Sequence, residues 1–252
     1  MPNTFVPPPL TRLADLPAQM AASGFAVLDR ASTAEWAGWS QAPQDWQSHW
    51  EDLPPDRYLR DGGRYRRRRH GCFVIEGGRV DAVPHRAHWQ SVEYNALHGG
   101  IERWFEPLPA ALAADDRWSR MLLAMARNAQ ALHPAARWFA EAHLFRIDTT
   151  DGIGRPTPEG AHRDGVDLVA VFMVSRHSVK GGETRVFDVR GPQGVRFTLT
   201  EPWSVLLLDD ARVIHESTPI QPTEPGLAAH RDTLVVTLRR DGFQGPQAIL
   251  PP

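Results

Sequence analysis

The feature that most constrains the fold is a series of short runs, rich in β-branched and aromatic residues, that follow residue 140. Breaks rich in Gly, Pro and Asp separate these runs, and no helical pattern lies between them. Such connections are too short for the crossover helices of a parallel α/β sheet. Short, closely spaced strands favour an antiparallel sandwich or barrel, so we expect a mainly β fold. The seven runs are AHLFRID, VDLVAVFMVS, TRVFDV, VRFTLT, SVLLLDD, RVIHEST and TLVVTLRR.

The N-terminal half contains helical as well as strand patterns. The segment Leu13–Ala22, closed by Gly24, is typical of a short helix, and Phe25–Leu28 is typical of a strand. The segment STAEWAGWSQA opens with Ser/Thr capping residues and indicates a second short helix. The segment DDRWSRMLLAMARNAQAL spaces its apolar residues at helical intervals before Pro134, and it predicts the clearest helix of the chain.

The length of 252 residues suits one large domain. At this size about three quarters of the unfolded surface can be buried, so the fold requires no disulfide or metal to hold it together. We expect a single domain over residues 1–252. In this domain residues 1–140 add helices and strands to a β core formed by residues 141–245, and the N-terminal helices pack outside that core.

The segment RYRRRRHGCF carries five arginines within six positions. A nucleic-acid-binding domain is usually clearly basic, whereas this chain has a formal net charge of −2 and no nucleic-acid-binding motif. We interpret the segment as a strand with Arg64, Arg66 and Arg68 on one face and Arg67 and Arg69 on the other. If the first face lines a pocket, one of its arginines, such as Arg68, can bind a substrate carboxylate. The other arginines would then pair with nearby Asp and Glu.

Three further observations bound the class of protein. The lone Cys72 excludes an internal disulfide framework and a multi-cysteine zinc site. The start MPNTFVPPPL lacks the basic and apolar regions of a signal peptide, and no apolar run approaches the roughly 18 residues of a membrane span. We therefore expect a cytoplasmic protein without a membrane partner, and the sequence makes no prediction of its oligomeric state.

Candidate metal ligands lie in the stretch PEGAHRDGVDLVAVF. His162 and Asp164 are two positions apart at the start of a predicted strand, so both side chains should point to one face. The stretch VIHESTPI supplies His215. In a double-stranded barrel, the strands between the two stretches would carry the chain around and bring His215 beside the first pair. Two histidines and one carboxylate form the facial triad typical of non-haem iron(II). Zinc hydrolase sites more often use three histidines, or two histidines and a glutamate.

A candidate anion site follows in the stretch HRDTLVVTL. Arg231 and Thr233 lie two positions apart on one face of a predicted strand. A guanidinium can hold a carboxylate through a bidentate charged pair, and a hydroxyl adds one more hydrogen bond. The pair suits the far carboxylate of a dicarboxylate whose other end chelates a metal.

These motifs together resemble the iron(II)/2-oxoglutarate-dependent dioxygenases. The resemblance rests on His162-x-Asp164, the turn KGGET, the stretch HESTP and Arg231-x-Thr233. More narrowly, PTPEGAHRDGVDLVAVFMVSRHSVKGGET resembles the bacterial group that includes an L-isoleucine hydroxylase and biofilm-associated relatives. The stretches RYRRRRHG and QSVEYNALHGGIERWFEPL also look like that group, which extends the resemblance over the chain.

The resemblance implies a double-stranded β-helix, or jelly roll, with flanking helices. It implies that His162, Asp164 and His215 bind Fe(II), and that Arg231, with Thr233, binds the distal carboxylate of the co-substrate 2-oxoglutarate. It further implies that dioxygen hydroxylates a small molecule with release of succinate and CO2. A free aliphatic L-amino acid or a derivative is the favoured substrate, although the motifs do not specify it.

Two other functions stay open on the sequence alone. A cupin-type metal oxygenase or isomerase would keep the barrel and the metal without 2-oxoglutarate, and Arg231 argues against it. A non-catalytic jelly-roll binding module would have lost its activity, and the complete set of candidate ligands argues against that.

Some residues rank lower as parts of the site. Arg146, in HLFRID, could meet a substrate or co-substrate carboxylate. Tyr94 and Asn95, in QSVEYNAL, could donate hydrogen bonds into the pocket. Glu216 directly follows a candidate ligand, so its side chain should point to the opposite face of the strand and bind no metal.

Overall fold

The computed structural model describes residues 5–246. Its helices are α1 (Leu16–Ser23), α2 (Arg30–Trp36), α3 (Ala110–Ala113) and α4 (Asp116–Leu132), with 3₁₀ turns at Leu13–Asp15 and Gln44–Trp50. Its strands are β1 (Phe25–Leu28), β2 (Arg66–Glu76), β3 (Arg79–Ala82), β4 (Arg137–Asp148), β5 (Leu168–His177), β6 (Val179–Gly181), β7 (Thr184–Asp188), β8 (Gly194–Phe197), β9 (Val205–Asp209), β10 (Val213–Ser217), β11 (Ile220–Pro222) and β12 (His230–Arg239). None of the helices within this described part has the length and apolar character needed to cross a bilayer.

The strands form a large sheet, a smaller sheet and a short two-stranded sheet. The large sheet is antiparallel and has the order β1-β9-β5-β12-β4-β2-β3. The smaller sheet has the order β10-β7-β8, and β11 pairs with β6. Strand β12 lies inside the large sheet, where Arg231 faces Ile147 of β4 on one side and Arg176 of β5 on the other. The large sheet therefore combines strands from both halves of the chain.

The two faces of the large sheet bury different side chains, because side chains alternate along a strand. On one face, Leu144 of β4 and Val236 of β12 join a hydrophobic core that includes residues of α1 and α4. On the other face, Phe145 of β4 and Val235 of β12 line a cavity. Val169 of β5, on that same face, packs with residues of the smaller sheet. The predicted mainly β fold, a jelly-roll core with helices outside, is confirmed.

Helix α4 forms where the sequence predicts it. The side chain of Asp115 caps its N-terminus by accepting a hydrogen bond from the backbone N–H of Arg117 at 2.8 Å. Trp118 and Met121 are fully buried in the core that covers the large sheet. The helix ends before Pro134, which disfavours a helical conformation in the residue that precedes it.

All seven predicted runs contain strands, and the described part of the chain after residue 140 adds two more. Strands β6 and β11 have three residues each, too few to show an alternating pattern in the sequence. The first helix begins at Leu16 rather than Leu13, because the 3₁₀ turn Leu13–Asp15 precedes it. Pro17 then lies in the first helical turn, where its missing N–H costs nothing.

Strand β2 carries the predicted alternation of arginines. Arg66 and Arg68 are buried and line the cavity, whereas Arg67 and Arg69 point to the other face. The prediction that Arg64 shares the first face is wrong, because the strand begins only at Arg66. The side chain of Arg64 is 77% exposed.

Candidate metal centre and its cavity

The side chains of His162, Asp164 and His215 meet in the cavity between the two sheets. Nε2 of His162 lies 3.6 Å from Oδ1 of Asp164, and Nε2 of His215 lies 3.8 Å from Oδ2 of the same carboxylate. One potential ligand atom from each residue lies within 4.8 Å of the other two. Two imidazoles and one carboxylate at this spacing can bind a divalent metal ion and leave its remaining positions open.

The backbones of the two histidines hold them side by side. The N–H of each donates to the carbonyl of the other at 3.0 Å, and the ring centroids are 4.7 Å apart. His215 lies in β10, as predicted. Glu216 points away from the metal-binding group and pairs with Arg185 at 3.1 Å, as expected for the opposite face.

Asp164 does not lie in a strand, contrary to prediction. It lies in a turn before β5, and the carboxylate of Asp210 holds this turn. That carboxylate accepts hydrogen bonds from the N–H groups of Asp164 at 2.9 Å, Gly165 at 2.8 Å and Val166 at 3.1 Å. Gly165 adopts a φ of 75°, a conformation that favours glycine. A hydrogen-bonded turn, rather than the pleat of a strand, therefore aims Asp164 toward His162.

Further contacts orient the candidate ligands and allow a test of their fit to a metal. Nδ1 of His162 donates to the carbonyl of Gly160 at 2.9 Å, which leaves Nε2 free to bind a metal. Nε2 of Gln90 donates to Oδ1 of Asp164 at 3.1 Å. Nδ1 of His215 is buried and has no hydrogen-bond partner within the described residues. The donor set, with one imidazole fixed in the required tautomer, fits an Fe(II) ion.

The charges of these three groups depend on one another. Burial would lower the pKa of His162, but the neighbouring carboxylate of Asp164 outweighs it and raises that pKa to about 10. Burial would raise the pKa of Asp164, yet its contact with His162 holds that pKa well below the usual range. Burial and the charge of His162 lower the pKa of His215 to about 4.

Arg231 and Thr233 of β12 line the same cavity, as the anion-site prediction requires. Arg231 is 4% exposed and, within residues 5–246, has no carboxylate within 4.0 Å of its guanidinium. Its Nε has no hydrogen-bond partner there. Burial and then the charge of Arg176 lower the pKa of Arg231 to about 9. Burying a cation without a counter-ion is costly, so the site favours a bound anion.

A second set of arginines lines the cavity from the N-terminal half, namely Arg66, Arg68 and Arg103. The buried carboxylate of Asp56 lies 2.7 Å from Nε of Arg66 and 3.8 Å from Nη1 of Arg68. The guanidinium of Arg68 also lies over the ring of Phe105, 3.8 Å from its centroid. Arg68 therefore faces the cavity as predicted, with a neighbour that already neutralises part of its charge.

A group of three imidazoles surrounds Glu141 beside Arg68. Oε2 of Glu141 accepts hydrogen bonds from Nε2 of His70 at 2.9 Å and Nδ1 of His88 at 2.7 Å. With His143, these residues offer four potential ligand atoms within 4.8 Å of one another. Nη2 of Arg68, however, lies 2.8 Å from Nδ1 of His143. Because a guanidinium so close opposes a bound cation, we interpret the group as a hydrogen-bonded network, with burial lowering the pKa of His88 to about 3.

The remaining predicted substrate residues divide into two groups. Asn95 lines the cavity. Neither Tyr94 nor Arg146 lines it, contrary to prediction. The ring of Tyr94 packs so closely against Gly165 that a Cβ there would clash with it. Arg146 points to the other face of β4, where its Nε and Nη2 each donate to the carboxylate of Asp232 at 2.8 Å.

Sequence reasoning missed several residues of the site. Gln90 and Arg103 flank the stretch NALHGGI, and neither belongs to a helix or strand whose pattern could have aimed it at the cavity. Glu141 of β4 is a carboxylate on a buried strand face, a signal that could have been found from the alternation of this strand. Asp210, which ends the run SVLLLDD, is a buried acid that follows directly on an apolar strand.

Comparison with known proteins agrees with this geometry. The family described as 2OG-Fe dioxygenase matches residues 47–237. The solved structure of a bsmA homologue from Methylobium petroleophilum PM1 is 51% identical with a TM-score of 0.89, over 97% of this chain and 99% of that chain. None of the curated proteins matches significantly.

Two more distant solved structures share the fold. IDO from Bacillus thuringiensis is 16% identical with a TM-score of 0.72, over 91% of this chain and 100% of that chain. The Fe(II)/α-ketoglutarate-dependent dioxygenase TqaL is 18% identical with a TM-score of 0.68, over 90% of this chain and 87% of that chain. The matched family region covers most of the chain, and the family uses Fe(II) and 2-oxoglutarate. The chain belongs to the 2OG-Fe dioxygenases and is a 2-oxoglutarate-dependent enzyme.

Proposed function

We propose that this dioxygenase hydroxylates a free aliphatic L-amino acid or a close derivative, with Fe(II) held by His162, Asp164 and His215. Arg231 holds the distal carboxylate of 2-oxoglutarate, and the hydroxyl of Thr233 adds a hydrogen bond to it. One observation carries the proposal. Arg231, a buried guanidinium without a carboxylate partner among the described residues, shares a single cavity with the three metal-binding side chains.

Different residues of the chain support different parts of this reaction. When bound, iron and 2-oxoglutarate supply the oxidation: dioxygen converts 2-oxoglutarate to succinate and CO2 and inserts its second oxygen atom into a substrate C–H bond. Asp210 holds the turn that presents the Asp164 carboxylate. Phe145, Val171 and Val235 give the cavity an apolar wall, which suits an aliphatic side chain and limits the access of water.

The charges in the cavity support a zwitterionic substrate. Arg66, Arg68 and Arg103 line it, and so does Glu159. Oε2 of Glu159 is buried and accepts no hydrogen bond within residues 5–246. An ammonium group would satisfy this oxygen, while one of the arginines would hold a carboxylate.

We also propose that the two halves of the chain function as one domain. The support for this is that the cavity takes Arg103 from the N-terminal half and Arg231 from the C-terminal half. Neither half would hold both the metal-binding group and the second set of arginines.

The test of the proposed function is substrate-dependent formation of succinate. Purified protein is incubated with Fe(II), ascorbate, 2-oxoglutarate and each member of a panel of L-amino acids. We expect at least one aliphatic amino acid to raise succinate formation and to yield a product with one added oxygen atom by mass spectrometry. The variant Asp164→Ala should produce neither, and it should also bind Fe(II) more weakly. Succinate formation that no amino acid stimulates would overturn the proposed substrate class, and unchanged Fe(II) binding in Asp164→Ala would overturn the metal site.

A further inference from the structure

Two buried guanidinium groups of the cavity, within the part of the chain that the structure describes, have no carboxylate within 4.0 Å: Arg231 and Arg103. Arg103 is 1% exposed. Its Nη2 donates to the neutral side-chain oxygen Oε1 of Gln90 at 2.9 Å, and its buried Nε has no hydrogen-bond partner in residues 5–246. The cavity thus has two unneutralised cationic sites, and 2-oxoglutarate presents one distal carboxylate to fill them.

The charges of Asp56, Glu159 and Glu141 act on Arg103, but within residues 5–246 none of these carboxylates lies within 4.0 Å of it. Asp56 pairs with Arg66 at 2.7 Å, and Glu141 accepts a hydrogen bond from His88 at 2.7 Å. Burial and then the charge of Arg66 lower the pKa of Arg103 to about 10, which leaves it cationic at neutral pH. A cation buried in this way is stabilised when an anion binds beside it.

A chain of hydrogen bonds connects Arg103 to the metal-binding group. Gln90 accepts from Arg103 through Oε1 and donates from Nε2 to Oδ1 of Asp164 at 3.1 Å. Asn95 donates to the same Oε1 at 3.1 Å and fixes the orientation of the amide. One glutamine side chain therefore separates Arg103 from a candidate metal ligand, so an anion held by Arg103 lies next to the metal centre.

We propose that Arg103 binds the carboxylate of the hydroxylated substrate, which makes that substrate a free carboxylic acid rather than an amide, ester or amine. The inference rests on the proposed function, since it assigns the other cationic site, Arg231, to 2-oxoglutarate. Arg66 and Arg68 border the same region but share Asp56, so they contribute less uncompensated charge. Gln90 then acts as a positioning residue between the substrate carboxylate and Asp164.

The first arm of the test uses the wild-type protein alone. Anaerobic protein loaded with Fe(II) and 2-oxoglutarate is titrated calorimetrically with the proteinogenic L-amino acids and their N-acetyl derivatives, each matched with its carboxamide. We expect at least one acid to bind, and its carboxamide to bind about ten-fold or more weakly, because a charge-assisted pair is lost. Equal binding of acid and carboxamide, or no binding of any acid, would overturn the proposal.

The second arm compares variants. Arg103→Gln should weaken binding of the acid to the level of the carboxamide, and Arg103→Lys should restore part of the difference. Arg64→Gln removes an exposed arginine of the same charge and serves as the matched control, with both affinities unchanged. If Arg103→Gln instead weakened the acid and its carboxamide equally, Arg103 would be structural and the proposal would fail.

Titration with 2-oxoglutarate separates this inference from the proposed function. Under the inference, Arg103→Gln leaves 2-oxoglutarate binding intact. If Arg103→Gln lost 2-oxoglutarate binding and Arg231→Gln retained it, the roles of the two arginines would be the reverse of those proposed. Both assignments would then be overturned. Loss only in Arg231→Gln, together with no discrimination between acid and carboxamide, would leave the proposed co-substrate site standing and reject the role of Arg103.

Discussion

The carboxylate of Asp210 accepts a hydrogen bond from the backbone N–H of Asp164 at 2.9 Å. It accepts two more from the next two residues, Gly165 and Val166, at 2.8 and 3.1 Å. Three N–H donors around one buried carboxylate fix the backbone of the turn. A residue that touches no metal thereby determines where the Asp164 side chain points.

The first prediction concerns this support. In Asp210→Asn, one carboxylate oxygen becomes an NH2 group, which cannot accept from the N–H donors of the turn. We expect Fe(II) affinity to fall by about 10- to 100-fold, the range typical for loss of a residue that supports a metal ligand. Anaerobic titration of Fe(II) against a competing chelator measures this affinity. Asp151→Asn, at a carboxylate that pairs with the exposed Arg64, is the control and should bind Fe(II) as the wild type does. Equal affinities in both variants would show that the turn does not depend on Asp210.

The second prediction concerns Tyr94, which packs against Gly165 instead of reaching the cavity. Gly165→Ala should lower the free energy of unfolding by more than about 1 kcal/mol, because it combines backbone strain with overlap of the Tyr94 ring. Urea unfolding measures the loss. Gly152→Ala is a matched control, since Gly152 has a similar φ of 81° but open space around its Cβ position.

The difference in unfolding free energy between Gly165→Ala and Gly152→Ala shows whether the Tyr94 ring packs against the turn. We expect Gly152→Ala to be the milder change, since it introduces the backbone strain alone. A loss in Gly165→Ala no larger than in Gly152→Ala would contradict the packing of Tyr94 on the turn.

The third prediction concerns the buried pair of Asp56 and Arg66, 2.7 Å apart. Asp56→Asn leaves Arg66 and Arg68 without this counter-ion and should lower the free energy of unfolding by about 3–5 kcal/mol near neutral pH. Although burial opposes it, the charges of Arg66 and Arg68 hold the pKa of Asp56 below its ordinary value. The measurement is urea unfolding of wild type and variant over a range of pH.

The sign of the pH dependence follows from that lowered pKa. The stability due to the Asp56 charge is complete above the unfolded-state pKa of about 3.9, and it is lost as the pH falls through the lower folded-state pKa. We therefore expect the difference between wild type and Asp56→Asn to be constant near neutral pH and to shrink in acid below the unfolded-state pKa. A difference that grows as the pH falls would be inconsistent with an ionised Asp56.

The strands and the main candidate ligands were predictable because the patterns that indicate them lie within short stretches of sequence. Alternation along β12 places Arg231 and Thr233 on one face, and the strand around His215 is visible as a short β-branched run. The two-residue spacing of His162 and Asp164 predicted their common direction correctly but for the wrong reason. The real cause is Asp210, which is remote in the sequence and becomes relevant only once β9 pairs with β5.

The rest of the site could not be predicted because it depends on pairing between the two halves of the chain. Arg68 lies in register with Phe145 because β2 pairs with β4, and no local pattern specifies that pairing. Arg103 and Gln90 come from irregular segments, where side-chain direction has no periodicity. Arg146 illustrates the opposite error: its charge suggested an anion site, but its position on β4 places it opposite Asp232 of β12.

In the proposed site, Arg231 anchors 2-oxoglutarate at the metal held by His162, Asp164 and His215. Calorimetric titration of 2-oxoglutarate into anaerobic, Fe(II)-loaded wild type and Arg231→Gln tests it most directly. We predict that the variant keeps its Fe(II) and its fold but binds 2-oxoglutarate about ten-fold or more weakly, because a buried charge-assisted pair is lost. Wild-type affinity for 2-oxoglutarate in the Fe(II)-loaded variant would show that Arg231 does not anchor the co-substrate.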